Sequence, residues 1–375
     1  MEDHSQHFLD LIRRSRRGRF KVYIGMIAGV GKTYRMLQDA HELLRCGTDV
    51  QIGYVETHGR PETEKVLQGL PLIPRKKIFY KGKELEEMDV DAILQVHPEI
   101  VIVDELAHSN VAGSRHAKRW QDVMELLEAG INVLSAVNIQ HIESLNDEVE
   151  DIVGIRIAER IPDSVLQEAD EVVNIDLTAD ELIHRLKSGK IYAQEKIQTA
   201  LDHFFKNEHI LQLRELALKE VAFRVGKKVA DEVRQQTDRG VRLSKVLVCV
   251  SSNSETQQHI IRKAARLAEI YDAELVALYV QTSKETADRI PLDQQRHLMG
   301  HLQLVVQLGG RIRQEVADNI PQTIADVCRE ERITLLCMGQ PSLTKFRLLR
   351  HGGRYRKLLL QLKAMRIDLI IFADI

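Results

Sequence analysis

Short runs of β-branched and apolar residues alternate with helical periodicity along most of the chain, and this alternation limits the possible folds more than any other feature. In the first part of the chain the runs predict strands at Val22–Ile27, Val50–Val55, Lys77–Tyr80, Ile100–Asp104, Asn132–Asn138 and Glu171–Ile175. Between them, apolar residues at three- and four-residue spacing predict helices, as in Thr33–Arg45. Because parallel strands need crossover helices, the pattern predicts an α/β fold with parallel sheets.

The chain has 375 residues, a length that suits two or three domains. Residues 194–236 carry only helical composition, and a polar stretch follows them. A second set of strands is predicted at Val246–Val250, Leu275–Tyr279, Leu335–Met338 and Leu369–Phe372. We therefore expect four parts, namely a basic N-terminal arm at 1–20, a first α/β domain at 21–193, a helical arm and linker at 194–243, and a second α/β domain at 244–375.

Composition excludes several classes of protein. The formal net charge is -2, so a nucleic-acid partner is not expected. The 4 cysteines have no paired spacing, and Cys249 and Cys337 lie in apolar runs, which indicates a reducing cytosol rather than a disulfide scaffold. No uninterrupted apolar stretch is long enough for a membrane span or a signal peptide. We expect a cytoplasmic protein.

The run GMIAGVGKT, which begins at Gly25, lies between the first strand and the first helix. A glycine-rich turn at this place lets backbone N–H groups converge on phosphate oxygens, and the helix N-terminus adds the positive end of its dipole. We expect Gly29 and Gly31 to leave room for the phosphates. Lys32 would contact the β- and γ-phosphates, and Thr33 would bind Mg²⁺.

A buried strand that ends in two acids supports the same interpretation. After the apolar run Ile100–Val103, Asp104 would hold Mg²⁺ and Glu105 would orient water. The strict phosphate-loop motif has a glycine where this chain has Met26, which is its one departure. The two matched elements together predict a site for ATP with Mg²⁺ rather than a chance resemblance.

Other polar clusters give weaker signals. The histidines at positions 58, 108, 116 and 141 fit no zinc-ligand spacing, so we interpret them as surface or hydrogen-bonding residues. The segment His58–Arg60 follows the second strand, and two interpretations stay open: contact with phosphate, or stabilisation of its loop. The arginines within 13–19 are interpreted as a solvated terminus.

The second domain has a basic segment from Lys345 to Lys357 that contains no acid. It lies shortly after the strand end at Gly339 and includes Phe346, whose ring could stack on a base. An anion-binding site and a helix with a solvated basic face are both compatible with this pattern.

These motifs together resemble the N-terminal cytoplasmic part of the KdpD family of sensor kinases for potassium and turgor. The resemblance is carried by GVGKTY (Gly29–Tyr34), ETHGR (Glu56–Arg60), DELAHSN (Asp104–Asn110), GSRH (Gly113–His116), KRWQD (Lys118–Asp122), ELLEAGI (Glu125–Ile131), QHIESLND (Gln140–Asp147) and LRELAL (Leu213–Leu218). It implies a cytosolic regulator of the Kdp potassium system that binds ATP through Gly29, Gly31, Lys32, Thr33 and Asp104. The expected partners are a Kdp histidine kinase, a response regulator, a transporter subunit or a second copy of the chain.

Residues 244–375 resemble the universal stress protein domain that follows in that family. The run after Gly339 lacks the second glycine and the final hydroxyl of the ATP-binding members, so ordinary ATP binding is not expected there. The segments around Ser252 and Tyr279 instead resemble the signature of KdpD domains that bind cyclic di-AMP. The resemblance and the basic segment imply the ligand residues Ser252, Ser254, Ala277, Tyr279, Ser342, Lys345, Phe346, Arg347 and Gly352. Helix capping by the serines and simple packing of Tyr279 stay open as alternatives.

The sequence thus predicts a two-domain regulator that responds to nucleotides. The chain has no counterpart of the membrane helices and kinase domains of a long KdpD, so a short stand-alone member is expected. The rival hypothesis is an ATPase or small-molecule phosphotransferase in which Glu105 orients the attacking group. A third is an adenine-nucleotide stress protein whose phosphate loop has lost its role.

Overall fold

In the part of the chain that the structure describes, the framework is two five-stranded parallel sheets and a separate two-stranded hairpin. The computed structural model describes residues 17–192, 194–202, 204–236, 244–252, 257–283, 285, 290–340 and 345–373. The chain divides into two units with a boundary at positions 237 and 238. The α/β class with parallel sheets, which the sequence predicts, is confirmed.

The first unit contains seven described strands, five of which form its parallel sheet. Its elements are β1 (Phe20–Gly25), α1 (Lys32–Arg45), β2 (Val50–Tyr54), α2 (Pro61–Leu67), β3 (Lys76–Tyr80), β4 (Lys83–Glu87), α3 (Val90–Val96), β5 (Ile100–Val103), α4 (Arg119–Glu128), β6 (Asn132–Asn138), α5 (Asn146–Val153), α6 (Asp163–Gln167), β7 (Glu171–Ile175), α7 (Ala179–Lys187), α8 (Gln194–Asp202) and α9 (Asn207–Gln236). The strand order is β2-β5-β6-β1-β7. This order brings the carboxyl ends of β1, β6 and β5 next to one another, because β6 pairs with both neighbours.

The predicted strand Lys77–Tyr80 belongs to an antiparallel hairpin instead of the parallel sheet. Its residues are mostly exposed, and Phe79 is 77% exposed, so it has no continuous apolar face to bury between helices. Lys81 and Gly82 both have positive φ, which suits the tight turn that joins β3 to β4.

The residues predicted as a helical arm form α8 and α9. The first part of α9 packs on the first unit and buries Ile210, Leu213 and Ala217 in the same hydrophobic core as β1 and β5. Apolar residues at three- and four-residue spacing explain this packing, since they share one helix face. This part of the predicted arm is therefore part of the first unit.

The second unit has the strand order β10-β9-β8-β11-β12. Its elements are β8 (Lys245–Val250), α10 (Gln257–Ile270), β9 (Glu274–Gln281), α11 (Leu292–Gln307), β10 (Arg311–Val316), α12 (Ile320–Glu330), β11 (Leu335–Gly339), α13 (Lys345–Met365) and β12 (Asp368–Phe372). The edge strand β10 reads RIRQEV and has no apolar run, so the sequence pattern did not predict it.

Candidate functional site

The predicted phosphate loop lies between the carboxyl end of β1 and the start of α1. Gly29 and Gly31 have φ values of 91° and 104°, a left-handed backbone that glycine adopts without steric cost. Met26 is 1% exposed and belongs to the hydrophobic core. The preceding residue, Gly25, is tightly packed, because a Cβ there would lie only 2.5 Å from Val30 Cγ2. The departure at Met26 therefore adds a core side chain beneath the loop.

Three predicted residues meet at the start of α1. The Thr33 hydroxyl donates to Asp104 Oδ2 at 2.8 Å, and Lys32 Nζ donates to the backbone oxygen of Ile27 at 3.3 Å. Burial lowers the pKa of Lys32 to about 8, although the charge of Asp104 opposes this shift. Burial also raises the pKa of Asp104. A cation, a hydroxyl and a carboxylate thus lie together, as a phosphate and its Mg²⁺ require.

Glu105 lies beside this group in a left-handed conformation with φ 55°. Its Oε1 atom is 3.2 Å from His58 Nε2, and its Oε2 atom is 3.7 Å from Arg119 Nη1. The hydrogen bond with His58 lowers the pKa of Glu105, and the same bond raises the pKa of His58. His58 also has positive φ, so two strained residues face each other at the site.

These groups line a cavity of about 420 Å³, a volume within the usual range for small-molecule sites. Its lining includes residues that the sequence analysis did not select for nucleotide binding, namely Asn138, His141, Glu159, Arg185 and Lys190. Asn138 ends β6 and accepts a hydrogen bond from Lys32 Nζ. A polar residue at the end of a buried strand is a usable sequence signal, but only once the strand order is known.

Arg119 supports the cavity from inside the protein. Its side chain is 0% exposed, donates to Glu87 Oε2 at 2.8 Å and lies 3.7 Å from the centroid of the Tyr54 ring. Glu87 also accepts from the backbone of Val111 at 2.9 Å and contacts His108 Nε2 at 3.0 Å. This network joins the strands β2 and β4 to the loop after β5.

The remaining histidines have identifiable partners. His141 Nδ1 donates to the Glu159 backbone oxygen at 2.8 Å, and His116 Nδ1 lies 2.8 Å from Asp122 Oδ1. Within the described residues, no group of three or more His, Cys, Asp or Glu side chains is arranged to hold a metal ion. The segment 58–60 lines the cavity, where His58 contacts Glu105 and Arg60 Nε donates to the Ile191 backbone oxygen at 3.3 Å.

In the second unit, Ser252 follows β8, Ala277 lies in the middle of β9 and Tyr279 lies near its carboxyl end. The three residues are 1%, 0% and 4% exposed. The Ser252 hydroxyl donates to Glu285 Oε1 at 2.7 Å. The Tyr279 hydroxyl has no hydrogen-bond partner among the described residues, and burial raises its pKa. Ser254 and Ser342 lie outside the described residues. Lys345, Phe346, Arg347 and Gly352 belong to α13, and their side chains are not described.

Comparison with known families now adds to this geometry. A family model for the osmosensitive K⁺ channel His kinase sensor domain, KdpD, matches residues 16–225, and the universal stress protein family matches residues 243–362. The two units therefore correspond to a sensor domain and a universal stress protein domain. The chain belongs to the KdpD family, as the sequence motifs predict.

Two sequence relatives agree with this assignment. A sensor protein KdpD of Synechocystis is 40% identical over 359 residues, which are 96% of this chain and 95% of the relative. The sensor protein KdpD of Escherichia coli is 39% identical over 87% of this chain, which spans only 36% of that protein. A universal stress protein of Archaeoglobus fulgidus, solved in complex with dAMP, is 15% identical with a TM-score of 0.26 and covers 35% of this chain and 98% of its own.

No helix in the described part of the chain combines the length and the apolar character that crossing a membrane requires.

Proposed function

We propose that the first unit binds ATP with Mg²⁺ and that the nucleotide controls a regulatory role of the chain in the Kdp potassium system. The observation that carries the proposal is the 2.8 Å hydrogen bond between Thr33 and Asp104 beside the half-buried Lys32. Thr33 and Asp104 would hold Mg²⁺, while Lys32 and the N–H groups of Gly29 and Gly31 would hold the phosphates. When bound, Mg²⁺ would neutralise part of the negative charge of the phosphates.

Calorimetric titration of Mg-ATP into the full chain tests this proposal. Lys32→Ala should weaken binding by about 10- to 100-fold, because a charged hydrogen bond contributes about 1.5–3 kcal/mol. Lys77→Ala is a matched control, since this exposed lysine lies on the hairpin and pairs with Glu84. Unchanged ATP affinity in Lys32→Ala would contradict the proposal. Loss of ATP binding when the second unit is deleted would favour the hypothesis of an adenine-nucleotide stress protein whose phosphate loop has lost its role.

An ATPase or phosphotransferase is the second candidate function, and the position of Glu105 favours it. His58 and Arg119 hold this carboxylate at the cavity, where it could orient a water molecule or an acceptor hydroxyl. Glu105→Gln should retain ATP binding and lose steady-state phosphate release. The absence of turnover above background in the wild-type chain would leave binding alone as the function.

For the second unit, we propose binding of cyclic di-AMP through Ser252, Ser254, Ala277, Tyr279, Ser342, Lys345, Phe346, Arg347 and Gly352. The resemblance of the Ser252 and Tyr279 segments to cyclic di-AMP-binding domains supports this, as does the buried Tyr279 hydroxyl. A buried hydroxyl that gains a partner from a ligand strengthens binding. Tyr279→Phe should therefore weaken cyclic di-AMP binding in calorimetry and leave Mg-ATP binding unchanged. Equal cyclic di-AMP affinity in the wild type and in Tyr279→Phe would show that the Tyr279 hydroxyl does not contact the ligand.

The regulatory part of the proposal follows from the family. A ligand shifts a regulator only when it binds one of its states more tightly than another. Co-purification of the tagged chain with a Kdp histidine kinase, response regulator or transporter subunit, with and without Mg-ATP, tests this. Equal recovery of every partner under both conditions would contradict nucleotide control.

A further inference from the structure

Two segments that follow opposite edges of the first sheet meet at the cavity. The segment 58–62 follows the edge strand β2, and the segment 185–191 lies beyond the other edge strand, β7. Glu62 Oε2 is 3.5 Å from Arg185 Nη2, and Glu62 Oε1 is 2.6 Å from Lys190 Nζ. Because all three side chains line the cavity, this ion-pair cluster is part of its wall.

Arg185 also reaches the phosphate loop itself. Its Nη1 atom donates to the Gly29 backbone oxygen at 3.4 Å, and a Cβ built on Gly31 would lie 3.6 Å from the same atom. The residue at position 31 immediately precedes Lys32, so the guanidinium lies over the turn that would hold the β- and γ-phosphates.

Positive charge is concentrated around that turn. Burial lowers the pKa of Arg60, and the nearby charge of Arg185 lowers it further. Lys32, Arg60 and Arg185 all line the same cavity. Three cations that repel one another in one cavity are stabilised by an anion with several charges, which a triphosphate supplies better than a diphosphate.

Glu62 offers Arg185 a weaker alternative partner. Its side chain is 48% exposed, so solvent screens the ion pair and the carboxylate can turn away at little cost. A phosphate oxygen accepts a stronger, bidentate hydrogen bond from the same guanidinium. Glu62 and a nucleotide phosphate therefore compete for Arg185.

Building on the proposed ATP site, we propose that Arg185 binds the terminal phosphate and thereby makes the site distinguish a nucleoside triphosphate from a diphosphate. Glu62 competes with that phosphate for the Arg185 guanidinium. This competition sets the ratio between the affinities for the triphosphate and the diphosphate. Arg185 is a ligand-binding residue here, and no chemical step depends on it.

The test is a pair of calorimetric titrations of the full chain, one with a non-hydrolysable ATP analogue and Mg²⁺ and one with ADP and Mg²⁺. Arg185→Ala should weaken binding of the ATP analogue by about 10-fold or more and change ADP affinity by less than about 3-fold. Arg185→Lys should restore part of the loss, since it keeps the charge but not the fork. Arg214→Ala is the control, because this arginine pairs with Asp176 on the surface and does not line the cavity.

Glu62→Gln provides the opposite change. Removing the competing carboxylate should tighten binding of the ATP analogue by about 2- to 5-fold, with Glu64→Gln on the same helix as the matched control. A smaller gain is expected in the Arg185→Ala background. Thermal unfolding of each variant confirms that the site is folded.

The outcomes separate this inference from the proposed function. Equal weakening of both nucleotides in Arg185→Ala would overturn the inference, because the arginine would then contact a group that ADP also has. No change with either nucleotide would overturn it as well. Failure of the wild-type chain to bind any nucleotide would overturn the proposed function itself.

Discussion

A cluster of buried charged side chains in the first unit lies at the carboxyl ends of the strands, whereas a cluster of ion pairs in the second unit lies at the amino ends. Asp104 follows β5 and is 5% exposed, and the neighbouring Arg119 is 0% exposed. In the second unit, by contrast, Lys245, Glu274 and Arg311 are the first residues of β8, β9 and β10, and their side chains are 25%, 38% and 42% exposed.

This difference shows where the protein accepts the cost of burying charge. Removing a charge from water costs several kcal/mol, so a buried charge is tolerated only with a well-placed partner. Exposed ion pairs lose little hydration, and each contributes little to the stability of the fold, typically about 0–1 kcal/mol. The first unit buries charged side chains at the carboxyl ends of its strands, where α/β proteins bind ligands. In the second unit, the ion-pair cluster of Lys245, Glu274 and Arg311 lies at the amino ends of the strands.

The largest expected effect is on the buried pair of Arg119 and Glu87. Arg119→Met should lower the free energy of unfolding of the first unit by about 3–5 kcal/mol, because Glu87 would remain buried without its cation. Urea unfolding followed by tryptophan fluorescence reports this unit, since Trp120 is the only tryptophan of the chain. Far-UV circular dichroism follows both units.

Two further variants sharpen this test. Arg313→Met in the second unit should cost less than about 1 kcal/mol, since Arg313 is 23% exposed and its partners stay hydrated. Adding Glu87→Gln to Arg119→Met should recover part of the loss. Equal losses at the two arginines would show that burial does not separate the two networks.

A smaller effect is expected at the glycines of the phosphate loop. Gly29→Ala and Gly31→Ala each lose about 1 kcal/mol of unfolding free energy, because both positions have left-handed φ. Gly29→Ala should lose about 1–3 kcal/mol more, since its Cβ would lie 2.3 Å from Ile191 Cδ1. Gly309→Ala in the second unit has positive φ and nothing within 4 Å, so it should behave like Gly31→Ala. Denaturant midpoints that do not rank Gly29→Ala lowest would contradict the packing of Ile191 on the loop.

The predictable parts of the site were those encoded in consecutive residues. The turn that carries Gly29 and Lys32 directly follows a strand, and so does Asp104. The local sequence pattern was therefore enough to predict these three residues as site residues. The same holds for most strands, whose apolar runs mark burial. The edge strand β10 has no such run, and the predicted strand Lys77–Tyr80 pairs in a hairpin that the local pattern does not show.

The parts that were missed join residues far apart in the chain. Asn138 and Lys32 are separated by 106 residues, and Arg185 and Gly29 by 156. Their proximity follows from the strand order, in which β6 and β7 flank β1. No spacing rule in one sequence encodes that order, so the sequence pattern did not single out Arg185 as a site residue.

The smallest expected effect is a pH dependence that has opposite signs in the two units. A hydrogen bond from Arg311 lowers the pKa of Glu331 to about 2, with further contributions from Lys245 and Arg313. The ordinary value is 4.5, so this carboxylate's stabilisation is complete above about pH 4.5 and is lost as the pH falls towards 2. Asp104 has the opposite sign, because burial raises its pKa and its charged form costs stability once the pH rises above its unfolded value.

Unfolding free energies of wild type, Glu331→Gln and Asp104→Asn between pH 3 and pH 7 measure both contributions. The advantage of wild type over Glu331→Gln should grow with pH and stay below about 1 kcal/mol, because the pair is partly exposed. The difference between wild type and Asp104→Asn should move the other way, with Asp104→Asn gaining relative stability as the pH rises. Added salt should shrink the Glu331 effect more than the Asp104 effect, since solvent ions screen exposed charges best. Parallel pH profiles for the two variants would mean that both carboxylates experience the same environment. They would contradict the contrast between the buried Asp104 at the cavity and the ion-paired Glu331 of the second unit.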